Sequence, residues 1–460
     1  MTSGEIVIVG AGPAGMRAAI TLARAGRRPI VLDEAPSSGG QVYRRPPPAI
    51  RRDAGALYGF EGRRATELHR AFDVLKGDID YRPGTLVWNA TDTRLHLLAE
   101  GRSRTQSWGR IILAPGAMDR IVPLPGWTLP GVYTLGGAQV ALKAQAVGIG
   151  ARVVFFGTGP LLYLVACQYA KAGIDVRAVL DTAPGLASLE ALPGLIRGGR
   201  TFLKGLHYVS WLRMRGVRIA SGVRPVEIGA GADGAVSGFR FERPGGREAF
   251  VECDAIGFGF GLKSETQLAD LLGLDFAFDH RQRQWLPVQD ADGRGSVPGV
   301  YLAGDGARVR GADVAELAGE RAALAVLADE GEGAHRSRMA ALGARIARAE
   351  PFRRALDEIA FPFPVELARE VPGDVMVCRC EGIDAKTIRN VAAASGTVDI
   401  NRLKAFTRLG MGRCQGRVCA PAATEILAAA AGVPVEAVGR LRGQAPIKPM
   451  PLSALAEASS

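Results

Sequence analysis

Glu5-Ile-Val-Ile-Val9 runs into Gly10-Ala-Gly-Pro-Ala-Gly15 and then into the alanine-rich stretch Met16 to Ala25. This order reads as strand, tight turn and helix. Gly10 permits the sharp turn, Gly12 lets a pyrophosphate come up to the backbone, and Gly15 lets the helix pack closely on the strand. Pro13 and Ala14 lie between them at the helix N-terminus, where free N–H groups face the phosphates. Gly26 ends the helix and Pro29-Ile-Val-Leu32 makes a second strand. Asp33 then stands where an acid hydrogen-bonds ribose hydroxyls, with Glu34 as its substitute. A lone GxGxxG says little, but one that opens a helix and is followed by an acid about twenty residues later points to a dinucleotide-binding unit. The alternative is a glycine turn in some other α/β domain.

The 460 residues suffice for two or three domains, each burying its own core. Hydrophobic residues make up 47% of the chain and charged residues 22%, which places it among soluble globular proteins. The net charge of +11 comes from arginines spread along the chain, a solvated surface or one suited to an acidic partner, an anionic cofactor or a membrane surface. No nucleic-acid recognition motif accompanies the charge, which argues against a nucleic-acid partner. Met1-Thr-Ser-Gly4 leads straight into the first strand and no apolar run reaches the length of a membrane span, so the expected location is the cytoplasm. In that compartment six cysteines point to metal or redox chemistry before disulfides.

Further along, Ser37 to Arg45 is a loop whose pair Gly39-Gly40 brings backbone close to a cofactor, followed by Pro46-Pro-Pro48. A helix is expected over Ala65 to Lys76 and strands at Leu86 to Asn89, Thr93 to Ala99 and Arg110 to Ala114, the last ending in Pro115-Gly116. Pro123 to Gly131, rich in proline and glycine, reads as a connector. A second unit repeats the layout of the first: strand Arg152 to Phe156, turn Gly157-Thr-Gly159, helix Tyr163 to Ala172, strand Asp175 to Leu180, then Asp181. Leu162 stands at the third glycine position, which keeps the fold but holds helix and strand apart and weighs against ordinary dinucleotide binding. Residues 217–261 alternate as strands and end in the glycine-rich Gly257 to Gly261. The strand Gly299 to Ala303 runs into Gly304-Asp305 and a helix, Asp313 to Ala328, a layout that sets a carboxylate and a helix N-terminus beside a cofactor.

Residues 331–370 are charged, helical and broken by prolines, and read as a linker before a separate module. That module carries Cys378-Arg-Cys380 and Cys414-Gln-Gly-Arg-Val-Cys419. Two such pairs suit a [2Fe–2S] cluster; zinc is the alternative, although its knuckles usually leave two to four residues between cysteines. Gly410, Gly412 and Gly416 would let backbone N–H groups approach the sulfurs. Cys167 and Cys253 read as inert core cysteines. No histidine lies beside a nucleophile or in a metal spacing, so the catalytic residue is left unassigned.

The first glycine motif with Asp33, Leu113-Ala-Pro-Gly116, the second unit and Ala303-Gly304-Asp305 resemble the two-dinucleotide-domain flavoproteins of glutathione-reductase type, in which these segments contact FAD. The segments Gly39-Gly-Gln-Val-Tyr-Arg44, Pro125 to Val132 and Thr407 to Cys419 are similar to one branch. It comprises the A subunits of opine oxidases, the B subunit of hydrogen cyanide synthase and the alpha subunits of D-hydroxyproline and proline dehydrogenases. The four-cysteine module is similar to bacterioferritin-associated ferredoxin. Pro115 departs from the wider family, which has threonine there, so a hydroxyl contact is lost while the backbone approach at Gly116 stays.

The resemblance implies an α/β protein with two Rossmann-like domains of glutathione-reductase type and a small helical C-terminal [2Fe–2S] domain. Its expected limits are 1–120 with 285–330 for FAD, 121–284 for the second Rossmann domain, 331–370 for the linker, 371–435 for the cluster and 436–460 for a tail. The cofactor contacts it implies are Gly10, Gly12, Pro13, Ala14, Gly15, Asp33, Glu34, Gly40, Gln41, Arg44, Ala114, Gly116, Gly304 and Asp305. In the second unit they are Gly157, Gly159 and Asp181, with ATP or another nucleotide as the candidate occupant. Cys378, Cys380, Cys414 and Cys419 are the cluster ligands. The implied function is the FAD and [2Fe–2S] subunit of a heteromeric dehydrogenase oxidising an opine, D-hydroxyproline, proline or a similar secondary amine. Expected partners are a flavoprotein subunit like D-amino-acid or sarcosine oxidases, a quinone or other acceptor, and a small ferredoxin-like subunit, with peripheral placement at the inner face of the membrane through the complex. Two other readings stay open: an NAD(P)H-dependent flavin and iron–sulfur reductase, against which Leu162 counts, and a non-catalytic nucleotide-binding assembly subunit.

Overall fold

A computed structural model of the chain describes residues 4–50, 52–184 and 189–456. The apolar runs become two parallel five-stranded sheets. In the first the order is Val300–Leu302, Arg110–Leu113, Ile6–Val9, Ile30–Leu32, Asp80–Arg82, with Val7 opposite Ile30 on one side and Ile111 on the other. The chain leaves Ile6–Val9 toward one edge and later returns on its other side, so a crevice opens beyond the carboxyl ends at this reversal of strand order, the usual ligand position in such sheets. The second sheet runs Arg218–Ser221, Asp175–Asp181, Arg152–Thr158, Ala255–Phe260, Val132–Thr134, also parallel.

The first helix runs from Pro13 to Arg24, with proline at its opening turn, where a missing N–H costs nothing. It lies against the helix Ala312–Asp329, and the two approach so closely that a Cβ on Gly319 would overlap the Ala14 carbonyl. Gly257 to Gly261, expected at the end of the strand region, largely form the strand Ala255–Phe260, and a Cβ at Gly257 would come within 2.5 Å of the Phe155 ring. Residues 331–370, expected as a linker, pack against both units. Met339 and Leu342 of the helix Arg336–Arg354 enter the core of the first sheet, while Phe352, Leu356 and Phe361 enter that of the second. The stretch reads as linker because its outward face is arginine-rich.

The four-cysteine region is likewise joined to the body. Val377, Ile388, Leu403 and Ile426 share one apolar core with Phe156, Phe239 and Phe258 of the second unit. Trp127, from the expected connector, is buried and donates its indole N–H to the Met376 carbonyl at 2.7 Å. Among the described residues no helix is long and apolar enough to cross a membrane.

Candidate active site

A cavity of about 550 Å³ opens beyond the carboxyl ends of the strands Ile6–Val9 and Arg110–Leu113. Gly10, Gly12, Pro13, Ala14, Asp33, Glu34, Gly40, Gln41, Arg44, Ala114, Gly116 and Asp305 all line it. The glycines do three different jobs. Gly10 has φ +100° and a Cβ there would overlap the Ala114 carbonyl, so it holds the turn against the neighbouring strand. A Cβ on Gly15 would overlap the Gly10 carbonyl, so Gly15 seats the helix on the strand. At Gly12 a Cβ would meet only Gly40 Cα at 3.8 Å, so the space beside it is open to the cavity. Gly304 lies behind the wall, its added Cβ meeting Ala14 Cβ at 2.7 Å, and Pro115 fills the step beside Gly306.

Three helix N-termini converge here, through Gly12 and Pro13, through Gly136 and Gly137, and through Gly311 and Ala312. Their dipoles make the cavity receptive to phosphate, although the N–H groups of Gly136, Gly137 and Gly311 are already taken by Asp119, Thr134 and Asp305. Asp33 is 7% exposed and accepts hydrogen bonds from the Ala11 and Ala35 N–H groups; burial pushes its carboxyl above its ordinary value against the pull of those bonds. Asp305 accepts from the N–H groups of Arg310 at 2.8 Å and Gly311 at 3.0 Å, and its carboxyl too is raised by burial. Arg44 donates to Gln41 Oε1 at 2.9 Å, yet its buried Nε has no partner among the described residues. Open space at Gly12, converging N-termini and an orphaned guanidinium N–H fit a dinucleotide pyrophosphate. The sequence offered no sign of Asp119, which lines the same cavity and accepts from Gly136 N–H at 2.9 Å, because it acts by capping a helix formed later in the chain.

Gly157, Gly159 and Asp181 are not brought into this cavity. A Cβ on Gly157 would overlap the Gly259 carbonyl, so this glycine serves the contact between two strands. Leu162 is fully buried in the core of the second unit. Asp181 is fully buried as well: it accepts from Tyr163 Oη–H at 2.7 Å and Ala183 N–H at 2.9 Å, and burial pushes its pKa up to about 7. The acid that would reach for a ribose, at the end of the strand Asp175–Asp181, is held by a side chain of the helix Pro160–Lys171.

The four cysteines expected as ligands lie in pairwise side-chain contact, although among the described residues no three His, Cys, Asp or Glu side chains are grouped so as to hold a single metal ion. Cys419 lies against both Cys378 and Cys414, and Cys414 lies against Cys380. Hydrogen bonding to Cys419, aided by backbone N–H groups of Gly410 and Glu381, lowers the Cys378 thiol; Cys414 is lowered likewise, with help from Val418 and Gly416. Gly412 contributes by space, since a Cβ there would overlap that of Cys380. Four soft sulfurs with N–H donors aimed at three of them suit a metal–sulfur centre. Burial raises Cys167 and Cys253 to about 12, as inert thiols require.

Arg417, inside the Cys414–Cys419 loop, also lines the 550 Å³ cavity. Its Nε donates to Glu265 Oε2 at 2.6 Å and its Nη1 to the Ile447 carbonyl. Burial pulls the Glu265 carboxyl up, but the Arg417 guanidinium more than offsets this and leaves it lowered. The tail continues across the same opening, with Ile447 N–H on the Trp88 carbonyl at 3.0 Å and Lys448 paired with Glu34. Removing one partner of a buried pair strands the other charge, so Arg417→Leu is expected to cost about 3–5 kcal/mol. The denaturation midpoint should fall accordingly and be largely restored in Arg417→Leu/Glu265→Leu; an unchanged midpoint in the single variant would contradict the buried pair.

The comparisons with known proteins agree with this arrangement. The pyridine nucleotide-disulphide oxidoreductase family matches residues 4–322, and the BFD-like [2Fe–2S] binding domain matches residues 376–429. The opine oxidase A subunit of Rhizobium meliloti is 37% identical over 98% of this chain and 87% of its own length. Hydrogen cyanide synthase subunit HcnB of Pseudomonas aeruginosa is 37% identical over 97% of each chain. Among solved structures, L-proline dehydrogenase from P. horikoshii superposes with a TM-score of 0.72 over 98% of this chain and 79% of that chain at 18% identity, a likeness of fold. With the glycine turn, the switch-point cavity and the converging cysteines in place, the chain belongs to the pyridine nucleotide-disulphide oxidoreductase family, in the group of HcnB and the opine oxidase A subunits, and carries a C-terminal BFD-like [2Fe–2S] domain.

Proposed function

We propose that this chain is the FAD- and [2Fe–2S]-carrying subunit of a heteromeric dehydrogenase that oxidises an opine, D-hydroxyproline, proline or a similar secondary amine and delivers the electrons to an acceptor other than O2. The observation that carries this reading is Arg417, which belongs to the cysteine loop and lines the dinucleotide cavity at once. A flavin handles two electrons as a hydride equivalent and a [2Fe–2S] cluster one at a time, so the pair together suits a relay. In this chain the Gly10–Gly15 turn and Asp33 would hold the dinucleotide, the Gly410–Gly416 loop would shield the cluster, and the Arg417–Glu265 pair would fix the two regions against each other.

Relatives named as subunits support a heteromeric enzyme. So does the exposed apolar surface around the helices Leu192–Ile196 and Arg200–Met214, where Leu189, Ile196 and Leu203 stand 82%, 59% and 61% exposed. Leu162 and the internally bonded Asp181 speak against a nicotinamide reductant in the second unit. Under anaerobic conditions NADH and NADPH should therefore leave the flavin absorbance of the pure chain intact. The amine substrate should bleach it only in the co-purified complex. Rapid bleaching of the isolated chain by NADPH would replace this reading with that of a reductase.

A further inference from the structure

A second cavity, of about 120 Å³, lies where the cysteine region meets the body of the protein. Arg120, Lys263, Ser264, Glu265 and Trp285 line it from the body, and Gln415 to Arg417 close it from the cysteine loop. Three carboxylates on its wall are already paired: Glu265 with Arg417 at 2.6 Å, Asp270 with Arg440 at 2.7 Å and Glu425 with Arg283 at 2.7 Å. Two cations are left over. Arg120 is 5% exposed; its guanidinium lies over the Phe363 ring at 4.9 Å and its Nη2 donates to the Gln282 carbonyl, but its Nε has no hydrogen-bond partner and it forms no ion pair among the described residues. The Lys263 ammonium has neither a hydrogen-bond nor an ion-pair partner among the described residues, although the Glu265 carboxylate attracts it.

Burial lowers both groups, to about 10 for Arg120 and about 8 for Lys263, so each remains largely cationic at neutral pH. Trp285 Nε1, Ser264 Oγ and Arg417 Nη2 are also buried on this wall without partners. A buried guanidinium with an unsatisfied N–H, a half-buried ammonium and further buried donors without partners are costly to keep together, and so many around one cavity point to a missing anion. Gln267 Oε1 is the one orphaned acceptor beside these donors among the described residues.

We infer that this cavity binds a small divalent oxyanion of the phosphate or sulfate class, seated between Arg120 and Lys263 and hydrogen-bonded by Trp285 and Ser264. The volume admits such an ion and not a nucleotide. The site shares Glu265 and Arg417 with the dinucleotide cavity and Gln415 to Arg417 with the cysteine loop, so the anion would neutralise the junction of the two regions.

The test uses the complete protein saturated with FAD and carrying its cluster, so that the flavin's own phosphate cradle is filled. Thermal midpoints are followed against potassium phosphate, and in parallel sulfate, with chloride keeping the ionic strength constant. Specific binding should raise the midpoint of the wild type along a saturating curve. Lys263→Met should keep FAD and cluster and bind phosphate at least tenfold more weakly, retaining only the non-saturating rise that such salts give any protein. Trp285→Phe should weaken the response by a smaller factor. A wild-type response without saturation overturns the proposal, as does a Lys263→Met curve that matches the wild type. Should Lys263→Met not fold, an undiminished response in Trp285→Phe overturns it equally.

Discussion

Gly12→Val is expected to yield a folded chain that carries its cluster and no FAD. The position has room: an added Cβ meets only Gly40 Cα at 3.8 Å, so the substitution does not disturb the fold. The added branches instead occupy the open space in front of the Pro13–Arg24 helix, where a pyrophosphate must come within hydrogen-bonding distance of the backbone. Losing the phosphate contacts while keeping the rest of the cavity should weaken FAD by about a thousandfold, or about 4 kcal/mol. Far-ultraviolet circular dichroism would check the fold and flavin absorbance after gel filtration the occupancy. Stoichiometric FAD in the folded variant would show that the glycine turn is not the pyrophosphate site. Gly15→Val would not be an equivalent experiment, because a Cβ there overlaps the Gly10 carbonyl and attacks the fold itself.

Cys414→Ser is expected to remove the iron-dependent absorbance and abolish turnover of the assembled complex with artificial acceptors, while FAD stays bound. Cys414 occupies the middle of the sulfur group, against Cys419 on one side and Cys380 on the other. Serine preserves its size and supplies a hard oxygen in place of a soft thiolate, which an iron–sulfur centre holds poorly. FAD retention follows because Cys414 does not line the dinucleotide cavity, although Arg417 of the same loop does. Full turnover with an intact cluster spectrum would remove Cys414 from the ligand set.

What could be read from the sequence was whatever a short stretch fixes by itself. The Gly10–Gly15 turn announces its backbone needs locally: Gly10 holds the turn, Gly15 seats the helix, and beside Gly12 the space is open. The cysteine pairs pointed to the group of four sulfurs, although the second pair lies far along the chain from the first. The three half-buried residues Asp80-Tyr-Arg82 carried no signal of a strand, since their edge position in the first sheet asks for no apolar alternation. The exact bounds of Ala255–Phe260 were obscured by its glycines, Gly257 and Gly259, which leave room for Phe155 and Leu135. The junctions were invisible for a different reason. Arg417 with Glu265 and Lys448 with Glu34 join residues far apart in the chain, and such pairings leave no periodicity or spacing behind.

Reductive titration of the anaerobically purified chain, followed together by visible absorbance and electron paramagnetic resonance, tests the proposed relay most directly. The expected result is FAD with iron and acid-labile sulfide in equal amounts, and a paramagnetic signal of a reduced [2Fe–2S] cluster that grows in as the flavin bleaches. Zinc in place of iron, with no reducible paramagnetic signal, would contradict it and leave the four cysteines a structural role.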